Sequence, residues 1–311
     1  MSLVREAGSK PLTQFTVPYG GTWPSIAANQ VPLDALYRSN NTYIRRGKLR
    51  QRPGLTLLNS TTFISPILGG AMAVTPTEKR LIAIDKGQLY ELTALSTTWS
   101  LVQTLPFASS DDDVIDIAFM ETASQYVALI AWKGTLLKRW IAGLGATPIP
   151  AAVGTTPNAK SVCVAARRVV ALVEPHTLVW TATLTYDNWP ALAIARIAQT
   201  NDVGICVKTF SNLSFALYKE RSIYLATARG GSDAQAFTFD EPIKVEGPAG
   251  VHAVVDIAGS HMYMTKNGRI ALYNGVQYPQ WVADGLWVYL QDDIDPLAAN
   301  KIFGVFDYRL N

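Results

Sequence analysis

Apolar residues in this chain come in short runs broken by turn residues, and the runs repeat. Two runs joined by a tight turn recur as LIAIDKGQLYEL around Gly87, LIAWKGTLLKRW around Gly134 and MYMTKNGRIALY around Gly268. VVALVEPHTLVW around His176 and FALYKERSIYLA around Arg221 keep the strands without the glycine, and the more polar TYIRRGKLRQR surrounds Gly47. Runs this short, rich in β-branched and aromatic residues and bounded by turn formers, predict β-hairpins. The turn centres lie 40, 47, 42, 45 and 47 residues apart. A period in that range, with several strands per unit, predicts a β-propeller.

A further apolar strand precedes each hairpin: GAMAV at Ala71, VIDIAF at Ile115, SVCVAA at Val162, GICVKTF at Ile205, AVVDIA at Val254 and IFGVF at Phe303. Small and β-branched residues dominate these, as expected of the innermost strand of a blade, where room is scarce. A fourth segment often follows the hairpin, such as TTWSLVQTL or AFTFDEPIKV. Blade units are thus expected over about 67–110, 111–157, 158–201, 202–249 and 250–300. The remainder is complementary: hairpin and outer strand near the N-terminus, a lone inner strand at the end. An open sheet edge invites mispairing, so the expected fold is all-β. It is a propeller of six four-stranded blades, the last built from 41–66 plus 301–311. The alternative is a natural chain that continues past Asn311.

Residues 1–40 form an arm rich in Gly, Pro, Ser and Asn, and a structureless stretch of that length calls for a partner to lie on. The segment between Gln277 and Asn300 is longer and more aromatic than its counterparts, which makes Trp281, Trp287 and Tyr289 candidates for a ligand or partner loop. Hydrophobic residues make up 49% of the chain and charged ones 16%, consistent with a surface partly covered in an assembly. The net charge of +3 is too small to imply nucleic acid or a membrane as main partner. Yet Arg38, Arg45, Arg46, Lys48, Arg50 and Arg52 crowd together with no acidic residue among them. They read either as a solvated hairpin or as a docking surface for an acidic partner or a DNA channel wall. No apolar run is long enough to span a bilayer as a helix, nor does the N-terminus carry the apolar core of a signal peptide. The two cysteines, Cys163 and Cys206, lie at equivalent places in apolar strands and read as inert buried thiols of a protein made in a reducing compartment.

Chemistry is sparse. There are three histidines, His176, His252 and His261, and no HExxH, CxxC pair, GxSxG or GxxxxGK[ST] motif. Asp111, Asp112 and Asp113, like Asp292, Asp293 and Asp295, could offer hard oxygen ligands, but without the glycine and distal glutamate of an EF-hand loop they read equally as solvated turns. Asp116 and Asp256 recur at matching inner-strand positions. They would either make the channel mouth acidic or satisfy backbone amides of the next blade. No catalytic residue, metal or cofactor is expected.

Two stretches carry a family signal. The first is N-terminal: Gly20-Gly21, Pro32, Asn40-Asn41 and Tyr43, then Gly47-Lys48-Leu49-Arg50 leading into Arg52-Pro53-Gly54. The second is internal: VWTATLTYDNW at 179–189, then FALYKERSIYL at 215–225, then MYMTKNGRIALYNG at 262–275. Together they resemble the β-propeller structural proteins of bacteriophage tails, including the nozzle-type proteins of short-tailed phages. Thr181 departs from the family's serine. The resemblance implies a non-enzymatic component of a virion tail (nozzle, neck or tail hub), made in the host cytoplasm. Its implied partners are other tail or connector proteins, and passive contact with exiting DNA. It also implies a homo-oligomer, six copies around the tail axis. Docking would then fall to the arm, through Leu12, Phe15, Val17 and Trp23, and to Arg45, Arg46, Lys48, Arg50 and Arg52. The alternative is a carbohydrate-binding propeller that stacks sugars on Trp140, Trp189, Trp281 and Trp287.

Overall fold

The structure, a computed structural model, describes residues 42–45, 48–51, 63, 65–74, 79–93, 98–104, 113–122, 126–142, 145–282, 287, 290, 294–295 and 297–305. The calls on residues 1–40, on Arg46 and Arg52, and on Tyr289 lie outside them. The first element is a hairpin of β1 (Thr42–Arg45) and β2 (Lys48–Gln51), whose ladder sets Arg45 opposite Lys48 and Tyr43 opposite Arg50.

Five antiparallel sheets follow in chain order. Sheet one holds β3 (Gly69–Val74), β4 (Lys79–Ile84), β5 (Gln88–Thr93) and β6 (Ser100–Thr104). Sheet two holds β7 (Ile115–Glu121), β8 (Tyr126–Trp132), β9 (Lys138–Ile141) and β10 (Gly145–Pro148). Sheet three holds β11 (Ser161–Ala165), β12 (Arg168–Val173), β13 (Thr177–Trp180) and β14 (Ile194–Arg196). Sheet four holds β15 (Gly204–Ser211), β16 (Ser214–Lys219), β17 (Ser222–Ala228), β18 (Phe237–Phe239) and the short β19 (Ile243–Lys244). Sheet five holds β20 (Val254–Ile257), β21 (Ser260–Met264), β22 (Ile270–Tyr273) and β23 (Gln280–Val282). Strands pair with their sequence neighbours, except that β18 and β19 share β17 as partner. Each expected turn centre falls between two paired strands, and Gly268 takes the left-handed conformation, φ 79°, that its turn requires.

The sheets stack face to face in the order of the chain. Ile82, Ile84 and Leu89 of sheet one meet Ile115, Ala128 and Ile130 of sheet two. Val127, Leu129 and Ala131 on the other side of β8 meet Val162, Val169 and Ala171. Val170, Leu172 and Leu178 then meet Val207, Phe215 and Leu217, and Ala216, Tyr218 and Ile223 meet Tyr263, Ala271 and Tyr273. A strand covered on both faces has no polar side to show, so β8 reads YVALIAW with no alternation. Each fully buried Leu, Ile or Phe here contributes about 1.5–3 kcal/mol.

The inner strands crowd one another as their small residues predicted. A Cβ on Gly69 would lie 2.5 Å from the Ile115 carbonyl oxygen, so β3 and β7 approach more closely than any larger residue permits. Sheet five has one covered face only: on its far side Met262, Met264, Ile270 and Leu272 are partly exposed. On the far side of sheet one Met72 is 55% exposed, but Ala83, Tyr90 and Leu92 are buried and Phe63 packs edge-on against Tyr90. Residues 302–305, expected as part of an inner strand, lie outside every ladder. Their backbone is held to the start of sheet five by Gly304 N–H donating to the His252 carbonyl at 3.0 Å, while Phe303 and Val305 face solvent. The rest of that strand, 306–311, lies outside the described residues. Among the described residues no helix is long and apolar enough to cross a membrane.

Candidate functional site

Three polar clusters join the sheets, and the first lies on the inner strands. Asp116 of β7 accepts from the Val162 amide at 3.1 Å and from the Ser161 hydroxyl, and pairs with Lys208 of β15 at 2.7 Å. Ser161 in turn accepts from the Val207 amide at 3.1 Å. One carboxylate therefore ties three sheets together, and of the two readings offered for it the structure gives the satisfaction of next-blade amides. Burial opposes the charge on Lys208, yet the Asp116 carboxylate beside it holds its pKa above the usual lysine value. Asp256, at the matching position of β20, is exposed and only accepts from Gly259 within its own turn.

The second cluster explains a motif. In the KERSIY stretch Lys219 is fully buried, its Nζ 2.7 Å from the Thr200 carbonyl, 2.8 Å from Thr200 Oγ1 and 3.1 Å from Asp202 Oδ1. The Arg221 amide and the Ser222 hydroxyl donate to Asp202 Oδ2 at 2.8 and 2.9 Å, and the Tyr224 hydroxyl meets Thr200 Oγ1 at 3.0 Å. Four of the motif's six residues, Lys219, Arg221, Ser222 and Tyr224, thus grip Thr200 and Asp202, in the connection that follows sheet three. Burial works against the Asp202 charge, but hydrogen bonds from Thr200, the Arg221 amide, Ser222 and Lys219 hold its pKa down to about 2. In the VWTATLTYDNW stretch Thr181 Oγ1 accepts from the Val169 amide at 3.0 Å and donates to the Thr185 carbonyl at 2.8 Å. A serine hydroxyl can make both bonds, so this departure from the family pattern keeps its chemistry.

The third cluster is aromatic. Trp281 and Trp287 sandwich Arg269, with the guanidinium 4.2 and 5.5 Å from the two ring centroids, and Trp287 Nε1 donates to the Asn267 carbonyl at 3.0 Å. Both candidate loop tryptophans therefore hold the β21–β22 turn. Trp140 and Trp189 are buried between sheets, at 0% and 4% exposure, which leaves neither face open to a sugar.

His261 has structural partners. His261 is buried and neutral: its Nε2–H donates to the Thr209 carbonyl at 2.9 Å, so its Nδ1 accepts from the Tyr218 hydroxyl at 2.8 Å. Burial lowers its pKa, and that of His252 likewise. His252 Nε2 is buried without a partner, beside a cavity of about 680 Å³ lined by Leu68, Val114, Val254 and Phe303. Cys163 and Cys206 are free and buried, and burial pushes the Cys206 thiol up to about 12. Among the described residues no three His, Cys, Asp or Glu stand close enough together to hold a metal ion. Asp111, Asp112, Asp292 and Asp293 lie outside those residues.

No protein-family profile and no curated protein matches the sequence. Among solved structures the chain superposes on Raptor from Chaetomium thermophilum with a TM-score of 0.51 at 10% identity, over 73% of this chain and 21% of that one. The chain is a β-propeller. BBS1N in complex with ARL6DN matches with a TM-score of 0.46 at 11% identity, over 68% of this chain and 67% of that one. BamB from Moraxella catarrhalis matches with 0.40 at 10%, over 67% and 61%. The propeller spans about a fifth of the Raptor chain, and likeness at this identity establishes architecture alone.

Proposed function

We propose that this propeller is a non-enzymatic scaffold of a bacteriophage tail, at the nozzle, neck or hub, docked to neighbouring tail or connector proteins around the DNA exit path. The observation that carries the reading is the Lys219–Asp202 interlock. Lys219, Arg221, Ser222 and Tyr224, which lie in the stretch that resembles the tail proteins, converge on Thr200 and Asp202. Of the histidines that an enzyme reading would need, His261 has both ring nitrogens engaged within the fold and His176 accepts from Arg196 at 3.3 Å.

Closure of the ring belongs to the same proposal. A sixth blade would cover the partly exposed Met262, Met264, Ile270 and Leu272 of sheet five and the exposed Met72 of sheet one. The β1–β2 hairpin with the rest of 41–66, and 301–311, are the segments of chain left to fill it. The arm would then lie on the next copy in a head-to-tail ring, with six copies as the resemblance implies. Exposed ion pairs contribute only about 0–1 kcal/mol each, so the apolar arm residues would dominate docking and the arginines would tune it.

The test is electron microscopy and quantitative mass spectrometry of purified virions. The protein should be a stoichiometric tail component, and a version lacking residues 1–30 should be soluble but missing from particles. Normal incorporation of that version would remove the docking role of the arm; intact, infectious particles made without the protein would sink the tail reading itself.

A further inference from the structure

A cleft of about 1040 Å³ opens where the ends of sheets two, three and four meet. Its rim is built from Met120 and Glu121, the β11–β12 turn, Leu184, Leu213 and the stretch after β17. The backbone there is unusual. Among described residues four non-glycine positions have positive φ, and three of them line this cleft: Ala166 at 51°, Arg167 at 56° and Leu184 at 62°. Ala165 pairs with Arg168, so Ala166-Arg167 is a two-residue turn with both φ values positive. Such a turn favours Asn-Gly, and a branched, long side chain there is strained. Strain of this kind persists only where the surroundings hold it, and it gathers at functional sites.

The surroundings do hold it. The Ala166 amide donates to the Asn212 carbonyl at 2.7 Å, Leu184 to the Arg167 carbonyl at 2.8 Å, and Ala228 to the Leu213 carbonyl at 2.8 Å. Four loops are thereby bonded into one rim. Beneath it Arg168 is buried and neutralised, its Nη1 2.6 Å from Asp233 and 2.8 Å from the Thr181 carbonyl. Arg167 and Arg229 differ. Both are exposed, and among the described residues neither guanidinium has a hydrogen bond or an ion pair. The same cleft is lined by two exposed leucines, Leu184 and Leu213.

We propose that this cleft docks an acidic segment of a partner protein, its carboxylates on Arg167 and Arg229 and an apolar side chain between Leu184 and Leu213. A planar guanidinium takes a carboxylate in a bidentate pair, and the fixed rim means little ordering is lost on binding. Two features favour a polypeptide over a nucleic acid. Two arginines make no continuous basic track along which a phosphate backbone could run. The cleft is also far larger than a single small anion and apolar in part. The inference goes beyond the tail reading and is independent of it.

The test is fluorescence polarisation on the full-length protein with a labelled peptide that alternates Glu and Leu, its Lys-for-Glu counterpart, and a random DNA duplex as competitor. The acidic peptide should bind, weaken as salt rises, and lose at least about tenfold in affinity to the R167E/R229E variant. Thermal melting of that variant should match the wild type, since both side chains are exposed. Absence of binding, equal binding by the basic peptide, or an unchanged affinity in the variant would overturn the proposal. So would displacement by the duplex, which would give the surface to nucleic acid.

Discussion

Replacing Lys219 with Met tests whether the KERSIY interlock holds the propeller together. Methionine keeps the buried volume but removes the charge and the donors that reach Thr200 and the carboxylate of Asp202. The carboxylate stays behind, low in exposure, with only the Arg221 amide and the Ser222 and Thr200 hydroxyls for support. Breaking one partner out of a buried pair costs about 3–5 kcal/mol. For a chain of this size each kcal/mol lowers the melting temperature by about 2 °C, so K219M should melt about 6–10 °C below wild type. D202N alone should cost less, because an amide oxygen can still accept from Arg221 and Ser222. In the double variant K219M/D202N the stranded charge is gone, and the loss should fall short of the summed single losses by about 1–3 kcal/mol. Acid adds a second readout. Asp202 sits at about 2 against an ordinary 3.8, and a depressed carboxyl pKa stabilises the fold above the unfolded value and ceases to as pH falls through the folded one. That linkage is worth about 2 kcal/mol at neutral pH and disappears between about pH 4 and 2. K219M should begin to lose stability at a higher pH than wild type. A variant that melted within about 2 °C of wild type, or strict additivity in the cycle, would refute a structural role for the motif.

Two further outcomes follow from the packing. G69A should destabilise the fold by about 2 kcal/mol or more in urea titration, since its Cβ meets the backbone of Ile115. Cys163 and Cys206 should resist a thiol reagent such as Ellman's in the native protein and react fully in denaturant, because both are buried and burial raises their pKa values.

Hairpins and inner strands were legible because a strand two residues from a turn announces itself locally. Gly87, Gly134 and Gly268 mark turns by their own conformational freedom, while at Arg221 the strands on either side carried the signal alone. The polar clusters were less legible, since they depend on which strand lies beside which. Asp116 meets Lys208 across 92 positions, and no local pattern says so. The same holds for Lys219, which reads as a surface lysine at a hairpin turn until Asp202 is seen beneath it. The tryptophans of the 277–300 loop looked like a binding platform because the sequence shows aromatic density without its neighbour, and Arg269 fills the space between them. Strain at Ala166-Arg167 was hidden for a different reason: neither residue type signals a left-handed turn.

The order in which the sheets stack is also the order in which they are made. Each new sheet finds its first interface already waiting on residues synthesised just before it, so the growing chain can bury apolar surface a blade at a time. Hairpins and neighbouring sheets bring together residues that are close in sequence, which keeps loop-closure costs small. The far face of sheet five, where Met262, Met264, Ile270 and Leu272 are partly exposed, gains no partner from an earlier sheet. Until that face is covered it is where the protein is most open to sticking to something else.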